Sequence, residues 1–402
     1  RQTRTRAPDP RRPPIGRIIA VLGDKLTASL VVETAIHGHE LPFEFPQEVL
    51  DEAASVPLVV EPAMIGDRVD LRSTPLVTID GEDAKDFDDA VYCEPNAEGF
   101  RLVVAIADVS NYVRPGTPLD EEAQKRATSV YFPGFVVPML PETLSNGICS
   151  LMPKVDRMCF VCDMQIDRDG LVTHSRFYEA VMNSHARLTY TQVWKAVGED
   201  DADTKAWMGD LLPQVQRLHQ LYKVLSKARA KRGAIEFESS EVRFVLDNRG
   251  EVTQAGMLVR NDAHKLIEEC MIAANVEAAR YLLSRHVPAP YRIHEKPPET
   301  KYADLLEFLK EFKLSLPPWS KVRPGDYTKL LKKIRDRPDA TLLESVLLRS
   351  QSLAIYSPEN HGHFGLALEA YAHFTSPIRR YPDLLVHRAI KHALSLSLIH
   401  IS

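Results

Sequence analysis

The sequence lacks several features that would assign a protein to a common class. Its 402 residues contain five cysteines and no apolar run long enough to span a membrane, and we recognise no signal peptide. We therefore expect a cytoplasmic protein in a reducing compartment, without membrane contact. The GxSxG elbow, the Walker A loop and the GxGxxG fingerprint are also absent. Their absence argues against the commonest hydrolases and NTPases and predicts no nucleotide cofactor.

The composition is that of a globular protein without a global excess of positive charge. Hydrophobic residues make up 44% and charged residues 26%, and the formal net charge is −5. Any surface that binds nucleic acid must therefore be local. Cys159 and Cys162 have the CxxC spacing, but they lie in a strand-like run with no second pair and no histidine nearby. We predict buried strand cysteines there rather than a zinc or redox site.

The densest cluster of charge lies between two apolar runs. Six acids fall within ten residues, offset only by Lys85: Asp80, Glu82, Asp83, Asp86, Asp88 and Asp89. The flanking runs, 75–79 and 90–92, predict strands that enter a core. Carboxylates anchored together repel one another, by about 3 kcal/mol per pair at roughly 6 Å and an effective dielectric constant near 20. A divalent cation would relieve that repulsion, and oxygen ligands favour Mg²⁺ or Mn²⁺.

Two other interpretations of the acidic segment stay open at this point. A solvated acidic loop has the same charge, and a calcium loop would also use carboxylates. Counted from Asp80, however, the sixth and twelfth positions are Lys85 and Val91, where an EF-hand needs Gly and Glu. The even spacing of Asp80, Asp86 and Asp88 lets extended backbone direct their side chains to one side. This spacing favours the metal hypothesis.

A second polar segment, 373–383, combines hydroxyl groups with two adjacent arginines. Ser376 and the proline after it predict the start of a helix, where backbone N–H groups, Arg379 and Arg380 could bind phosphate. The alternative is that both arginines pair with acids of the same protein. Tyr131, in an aromatic segment rich in proline, is a candidate for stacking on a nucleic-acid base, with core packing as its alternative.

The order of the predicted elements indicates an α+β protein, with strands first and helices after. The run 101–108 predicts a central strand, and 158–181 predicts a hairpin about Asp169 and Gly170. Helical periodicity covers four segments: 191–232, 262–285, 302–313 and 340–356. The predicted domain ranges are as follows: 1–23, a basic linker and the last strand of a β domain; 24–66, a lead-in; 67–393, the main domain; and 394–402, a non-native tail.

These motifs resemble, in order, those of the ribonuclease II/ribonuclease R (RNB) family. The resemblance covers about residues 15–392 and includes the following segments: 68–72, 75–91, 106–110, 129–133, 145–151, 184–190, 261–269, 363–368 and 373–381. Segment 292–297 is closer to the bacterial ribonuclease R branch. The resemblance implies an RNB-type catalytic domain, a mixed sheet with packed helices, preceded by the remnant of a cold-shock OB β-barrel.

The resemblance also implies an activity and roles for named residues. The activity is processive 3′→5′ hydrolysis of single-stranded or 3′-tailed RNA to nucleoside 5′-monophosphates. Four aspartates would hold Mg²⁺, with Mn²⁺ as a possible substitute: Asp80, Asp86, Asp88 and Asp89. Asp88 would be most critical, Tyr131 would stack on the 3′-terminal nucleotide, Arg379 would lie by the scissile phosphate, and Arg380 and Ser376 would bind the RNA backbone. We expect a monomer whose partner is an RNA 3′ end.

The sequence departs from the family pattern at both ends. The family has two cold-shock domains before the catalytic domain and an S1 domain after it, whereas residues 1–23 resemble only the end of the second cold-shock domain. We find no counterpart of the S1 domain, or of a family glutamate beyond Arg388. Two other hypotheses compete with the exoribonuclease: a catalytically silent RNA-binding adaptor of the same fold, and a calcium-binding structural protein.

Overall fold

The structure is a computed structural model that describes residues 21, 27–237, 241–247, 251–258 and 260–399. The predicted basic linker and β-domain remnant therefore lie almost entirely outside the described residues, as do the last three residues of the predicted tail. No helix in the described part is both long and apolar enough to cross a membrane.

The described residues form strands and helices with the following bounds. The strands are β1 Val69–Asp70, β2 Val77–Asp80, β3 Asp89–Pro95, β4 Gly99–Ala107, β5 Val130–Phe132, β6 Phe135–Val137, β7 Asp156–Asp167, β8 Val172–Asn183, β9 Ala186–Thr189, β10 Glu241–Leu246, β11 Val252–Leu258, β12 Tyr291–Ile293 and β13 Ile355–Ser357. The helices are α1 Ala28–Gly38, α2 Gln47–Ser55, α3 Pro62–Ile65, α4 Pro118–Arg126, α5 Tyr190–Val197, α6 Ala202–Met208, α7 Leu212–Arg232, α8 Asp262–Ser284, α9 Glu299–Glu311, α10 Pro324–Ile334, α11 Ala340–Arg349 and α12 Tyr381–Ile399.

Seven of these strands form one mixed sheet in the order β1-β8-β7-β4-β3-β2-β9. The pairs β1–β8 and β2–β9 are parallel, and the others are antiparallel. The predicted central strand is confirmed, because β4 lies fourth of seven. The predicted hairpin is also confirmed as β7 and β8, with Gly170 at φ +82° in the turn. Cys159 and Cys162 are buried in β7, as predicted.

Helices cover both faces of the sheet, and this explains why β4 is apolar along its length. Leu102, Val104 and Ile106 belong to a core that includes residues of α5, α7, α8 and α12. The alternate residues Val103 and Ala105, whose side chains point to the opposite face, pack with α2 and α4. The helices α9, α10 and α11 share a separate apolar cluster.

Several predicted helices differ from the structure. Segment 191–232 is three helices, because Gly198 follows α5 and Gly209, with φ +50°, follows α6. Segment 340–356 ends its helix at Arg349, because the following residues pair with β12 as strand β13. Helix α12 continues into the predicted tail as far as Ile399, and the non-native origin of that tail stays a prediction.

Candidate active site

The four aspartates lie where β2 ends and β3 begins. Asp80 is the last residue of β2 and Asp89 the first of β3, while Asp86 and Asp88 lie in the loop between them. The prediction that strands flank the acidic segment is therefore confirmed. Since β2 and β3 are antiparallel neighbours in the sheet, the loop lies over one sheet edge, with both of its ends fixed by the core.

Side chains from outside the loop hold its backbone in place. The buried Ser150 hydroxyl accepts a hydrogen bond from the N–H of Phe87 (3.0 Å) and donates one to the carbonyl of Lys85 (2.7 Å). The guanidinium of Arg187 donates to the carbonyl oxygen of Gly81 (2.8 Å) and lies 5.6 Å from the ring centroid of Phe87. The loop is therefore an anchored structure, which contradicts the alternative of a solvated acidic run.

Asp88 joins the loop to the second polar segment. Its side chain is almost fully buried, with 4% of the residue exposed. One carboxylate oxygen accepts the backbone N–H of Ile378 at 2.9 Å, and the other accepts Nε of Arg379 at 3.3 Å. The two segments that were noted separately in the sequence, some 290 residues apart, therefore form one site.

The segment around Ser376 does not begin a helix, so that prediction is wrong. Residues 376–380 form a turn, in which the N–H groups of Arg379 and Arg380 donate to the carbonyl of Ser376, and α12 begins only at Tyr381. The buried hydroxyl of Ser376 accepts Nη2 of Arg379 at 3.0 Å, while the N–H of Ser129 donates to the carbonyl of Arg379 at 2.9 Å. Ser376 therefore positions Arg379, whose side chain stays 46% exposed.

Arg380 and Tyr131 have protein partners in this structure. Arg380 forms a two-point ion pair with the buried Asp383, at 2.9 and 2.8 Å. Tyr131, in β5, is 51% exposed and donates its hydroxyl to Asp86 at 3.0 Å. Pairing with an acid, the alternative considered for the arginines, is thus observed for Arg380 with Asp383 and for Arg379 with Asp88. Tyr131 is not a core residue, so its ring is accessible beside the acidic loop.

The carboxylates are electrostatically unbalanced. Burial raises the pKa of Asp88 well above its usual range, although Arg379 opposes the shift. Burial and the neighbouring Asp80 raise the pKa of Asp89 to about 7, and burial also raises the pKa of Asp80. The guanidinium groups of Arg379 and Arg187 do not offset four carboxylates, so the site favours a further positive charge.

The donor set fits a hard divalent cation in its chemistry. All four side chains offer carboxylate oxygens, and burial raises the pKa values of Asp80, Asp88 and Asp89, so a bound cation would stabilise their charged forms. Within the described residues, however, no three His, Cys, Asp or Glu side chains are arranged closely enough to enclose a metal ion. Mg²⁺ commonly keeps several water ligands, so one or two carboxylates can hold it.

The sequence analysis assigned no role to three residues that shape this site. Ser150 and Arg187 hold the loop. Tyr190 lies beside it, since burial and then the carboxylates of Asp80 and Asp89 raise the pKa of Tyr190. Tyr190 also stacks on His264, with ring centroids 4.1 Å apart. The segments 145–151 and 184–190 were noted as motifs, but their contacts with the loop depend on the tertiary fold.

Comparison with protein-family models places these residues in a family. The RNB domain matches residues 68–396, which include every site residue described above, and the cold shock domain matches residues 3–46. The chain belongs to the RNB family. The cold shock match extends past the predicted limit at residue 23 and includes α1, so the ranges 1–23 and 24–66 stay a prediction.

Curated relatives of this RNB chain are ribonucleases R. It is 53% identical to ribonuclease R of Escherichia coli over 392 residues, which are 97% of this chain and 48% of that protein. It is 45% identical to ribonuclease R of Thermotoga maritima, over 96% of this chain and 54% of the relative. The RNB chain thus spans about half the length of the curated relatives it matches.

Solved structures share the RNB fold. RNase R of Mycoplasma genitalium in complex with double-stranded RNA has a TM-score of 0.88 and 31% identity, covering 94% of this chain and 67% of that one. The same enzyme in complex with ribose-methylated single-stranded RNA has a TM-score of 0.87 and covers 59% of that chain. Yeast Ssd1, a pseudonuclease, has a TM-score of 0.72 at 19% identity, covers 94% of this chain and 47% of that one, and shows the fold alone.

Proposed function

We propose that this chain carries the hydrolytic centre of a processive 3′→5′ exoribonuclease that releases nucleoside 5′-monophosphates. The observation that carries the proposal is the contact between the buried Asp88 and Arg379, which places carboxylates and an exposed cation at one point. The names of the relatives support it, since ribonuclease R structures contain single-stranded and double-stranded RNA. The substrate would be the 3′ end of RNA, in the cytoplasm.

The geometry supports the following residue roles. Mg²⁺, or Mn²⁺ in its place, would be held by one or two carboxylates drawn from Asp80, Asp86, Asp88 and Asp89, with water as its other ligands. When bound, such an ion supplies an activated water and offsets charge on the phosphate. Arg379 keeps its guanidinium half exposed beside Asp88, where it can stabilise negative charge that develops on a scissile phosphate.

RNA binding would use the groups next to the acidic loop. The accessible ring of Tyr131 can stack on a terminal base with little sequence preference. Ser376 acts through Arg379, because its hydroxyl is buried and bonded to that guanidinium. Arg380 is occupied by Asp383, so its contribution to the backbone would be the positive field it adds near the turn.

A catalytically silent RNA-binding adaptor is the alternative. Its motivation is the shared fold of a pseudonuclease, since a fold does not by itself determine an activity. The presence of all four aspartates favours hydrolysis. A calcium-binding structural role has no support from the loop, whose residues do not follow the EF-hand spacing.

The test of hydrolysis is Asp88→Asn, with Asp83→Asn as the matched control. Both changes remove one carboxylate from the same loop, but Asp83 is exposed. We expect Asp88→Asn to lower mononucleotide release from 3′-tailed RNA by at least a hundredfold in Mg²⁺, while RNA binding persists. A chelator should stop release by the unmodified chain. Undiminished hydrolysis by Asp88→Asn would refute the proposal.

A further inference from the structure

We propose that Arg292, supported by Tyr356, binds a backbone phosphate of the RNA while the RNA 3′ end lies at Asp88. The inference rests on the proposed function and assigns a further binding residue to it. It would extend the positively charged surface of the site beyond Arg379 and Arg380 to the β12–β13 ribbon.

The ribbon holds the Arg292 side chain in a fixed place. Arg292 and Tyr356 are directly opposite in the antiparallel β12–β13 pair. The Arg292 guanidinium lies over the ring of Tyr356, 4.7 Å from its centroid. The backbone N–H of Arg292 donates to the carbonyl of Tyr371 at 2.9 Å, which ties the strand to the chain leading to the 376–380 turn. An arginine stacked on an aromatic ring loses less conformational entropy when it binds a phosphate.

A second observation places Arg292 near the two arginines of the turn. The hydroxyl of Tyr356 and Nδ1 of His373 share a hydrogen bond of 2.6 Å. Burial, together with the guanidinium groups of Arg380, Arg292 and Arg379, lowers the pKa of His373 to about 2. Arg292 is therefore linked through Tyr356 to His373, which lies in the same chain segment as Arg379 and Arg380.

The charges of these arginines are not equally balanced. Arg380 is paired with Asp383, and Arg379 contacts Asp88. Among the residues that the structure describes, no carboxylate lies within ion-pair distance of Arg292. Its half-buried guanidinium is therefore an unneutralised cation beside a site whose substrate is a polyanion.

A phosphate of single-stranded RNA matches the hydrogen-bond donors and the positive charge of Arg292. A guanidinium presents paired donors that match two phosphate oxygens, and a phosphate supplies the missing negative charge. Since the acidic loop repels the RNA backbone until its charge is offset, a cation farther along the bound strand increases affinity without taking part in hydrolysis. Arg292 would therefore act on the binding of RNA and not on the chemical step.

The experiment measures how salt affects RNA binding by the full chain. A fluorescent single-stranded RNA is titrated in chelator, to prevent hydrolysis, at several concentrations between about 50 and 200 mM salt. Arg292→Met should weaken binding at low salt by about tenfold and reduce the slope of log affinity against log salt by about 0.7, the loss of one phosphate contact. Arg292→Lys keeps the charge and should retain the slope.

The matched control is Arg168→Met, an exposed arginine in the β7–β8 turn. Residue 168 follows Asp167, which pairs with Gly99, at the opposite end of the strands from Asp89 and Ala107. This variant should bind RNA like the unmodified chain. Thermal unfolding of Arg292→Met, compared with that of Arg292→Lys, shows whether the methionine variant is folded.

The outcomes separate this inference from the proposed function. If the unmodified chain hydrolyses RNA in Mg²⁺ but folded Arg292→Met keeps the full salt slope, the phosphate contact is refuted and the hydrolase stands. If the slope falls as expected in a chain that does not hydrolyse RNA, Arg292 binds phosphate in an adaptor. A chain that binds no RNA overturns both.

Discussion

At the scale of single residues, the site is defined by carboxylates kept out of water. Asp88 is bonded to one backbone N–H and one guanidinium, yet burial still raises its pKa well above the usual range. Asp80 and Asp89 are shifted in the same direction. Without a cation, these groups bind protons more tightly in the folded chain than in the unfolded chain. The metal-free protein should therefore lose stability when they ionise.

The first prediction concerns pH. The pKa of Asp89 is about 7 in the folded chain and near 3.9 when unfolded. The folded state binds the extra proton, so the unfolding free energy without metal should fall as pH rises from about 4 to 7, by on the order of 2–4 kcal/mol. Asp89→Asn should remove most of that loss of stability, and adding Mg²⁺ at pH 8 should restore the unfolding free energy of the unmodified chain. The measurement is urea unfolding across pH.

Asp83→Asn serves as the control for the pH experiment. This exposed acid lies in the same loop, and its replacement should leave the pH slope unchanged. Equal slopes for Asp89→Asn and the unmodified chain would contradict the assignment of the raised pKa to Asp89.

The second prediction separates the ring of Tyr131 from its hydroxyl. Stacking on a base is worth about 1–3 kcal/mol, so Tyr131→Ala should change the length of the final undegraded RNA fragment. Tyr131→Phe loses the bond to Asp86 but keeps the ring, and its fragment should match that of the unmodified chain. Denaturing gels of the end products provide the measurement. The stacking role fails if alanine leaves the fragment unchanged.

At the scale of elements, the β2–β3 connection depends on residues far along the chain. Ser150 bonds to both Phe87 and Lys85, and Arg187 bonds to the carbonyl of Gly81. A loop with several like charges would open if only its own residues held it. The hydrogen bonds from Ser150 and Arg187 hold the loop backbone in place and keep Asp86 and Asp88 near Arg379.

The third prediction removes one anchor. Ser150→Ala leaves the buried N–H of Phe87 without a partner, which should lower the unfolding free energy by about 1–3 kcal/mol. It should also reduce RNA hydrolysis at least tenfold, because small displacements of site groups are costly. Ser284→Ala removes an exposed hydroxyl that donates to the carbonyl of Tyr281. That control should change stability by less than about 0.5 kcal/mol. Equal hydrolysis by both variants would show that Ser150 does not position the loop.

At the scale of the whole molecule, the docking of α12 on the sheet sets the position of Arg379. Lys391 contacts both carboxylate oxygens of Asp108 at 2.7 Å, and Arg388 contacts Asp120 at 2.7 Å. Burial opposes ionisation of Asp108, but Lys391 and Arg68 hold its pKa below the usual range. The 376–380 turn immediately precedes α12, so these ion pairs fix where the turn meets β3.

The fourth prediction tests this docking. Among the described residues, Lys391→Met leaves the buried Asp108 with Arg68 as its one ion-pair partner, and it should lower the unfolding free energy by about 3 kcal/mol. Lys125→Met is the control, because Lys125 is 64% exposed in its pair with Glu122. This replacement should lower the unfolding free energy by less than about 1 kcal/mol. Denaturant unfolding compares the two. Similar losses for both would contradict a structural role for the buried pair.

The sequence alone determined the local features of this protein. The apolar run 101–108 and the turn at Gly170 predicted the central strand and the hairpin, because burial on both faces and a positive φ leave a clear pattern in sequence. The run of acids between two strand-like segments likewise indicated a site. Patterns of this kind depend on near neighbours in the chain, so they can be recognised without the fold.

Tertiary structure decided how these features meet. Ser376 does not begin a helix, because its N–H is bonded to Asp383 and its hydroxyl to Arg379 within a turn. The residues after Arg349 leave the helix to pair with β12. Contacts such as Asp88 with Ile378 join residues that are remote in sequence. These contacts exist because packing on both faces of the sheet brings α12 to the acidic loop. No local sequence pattern encodes a contact between residues so far apart in the chain.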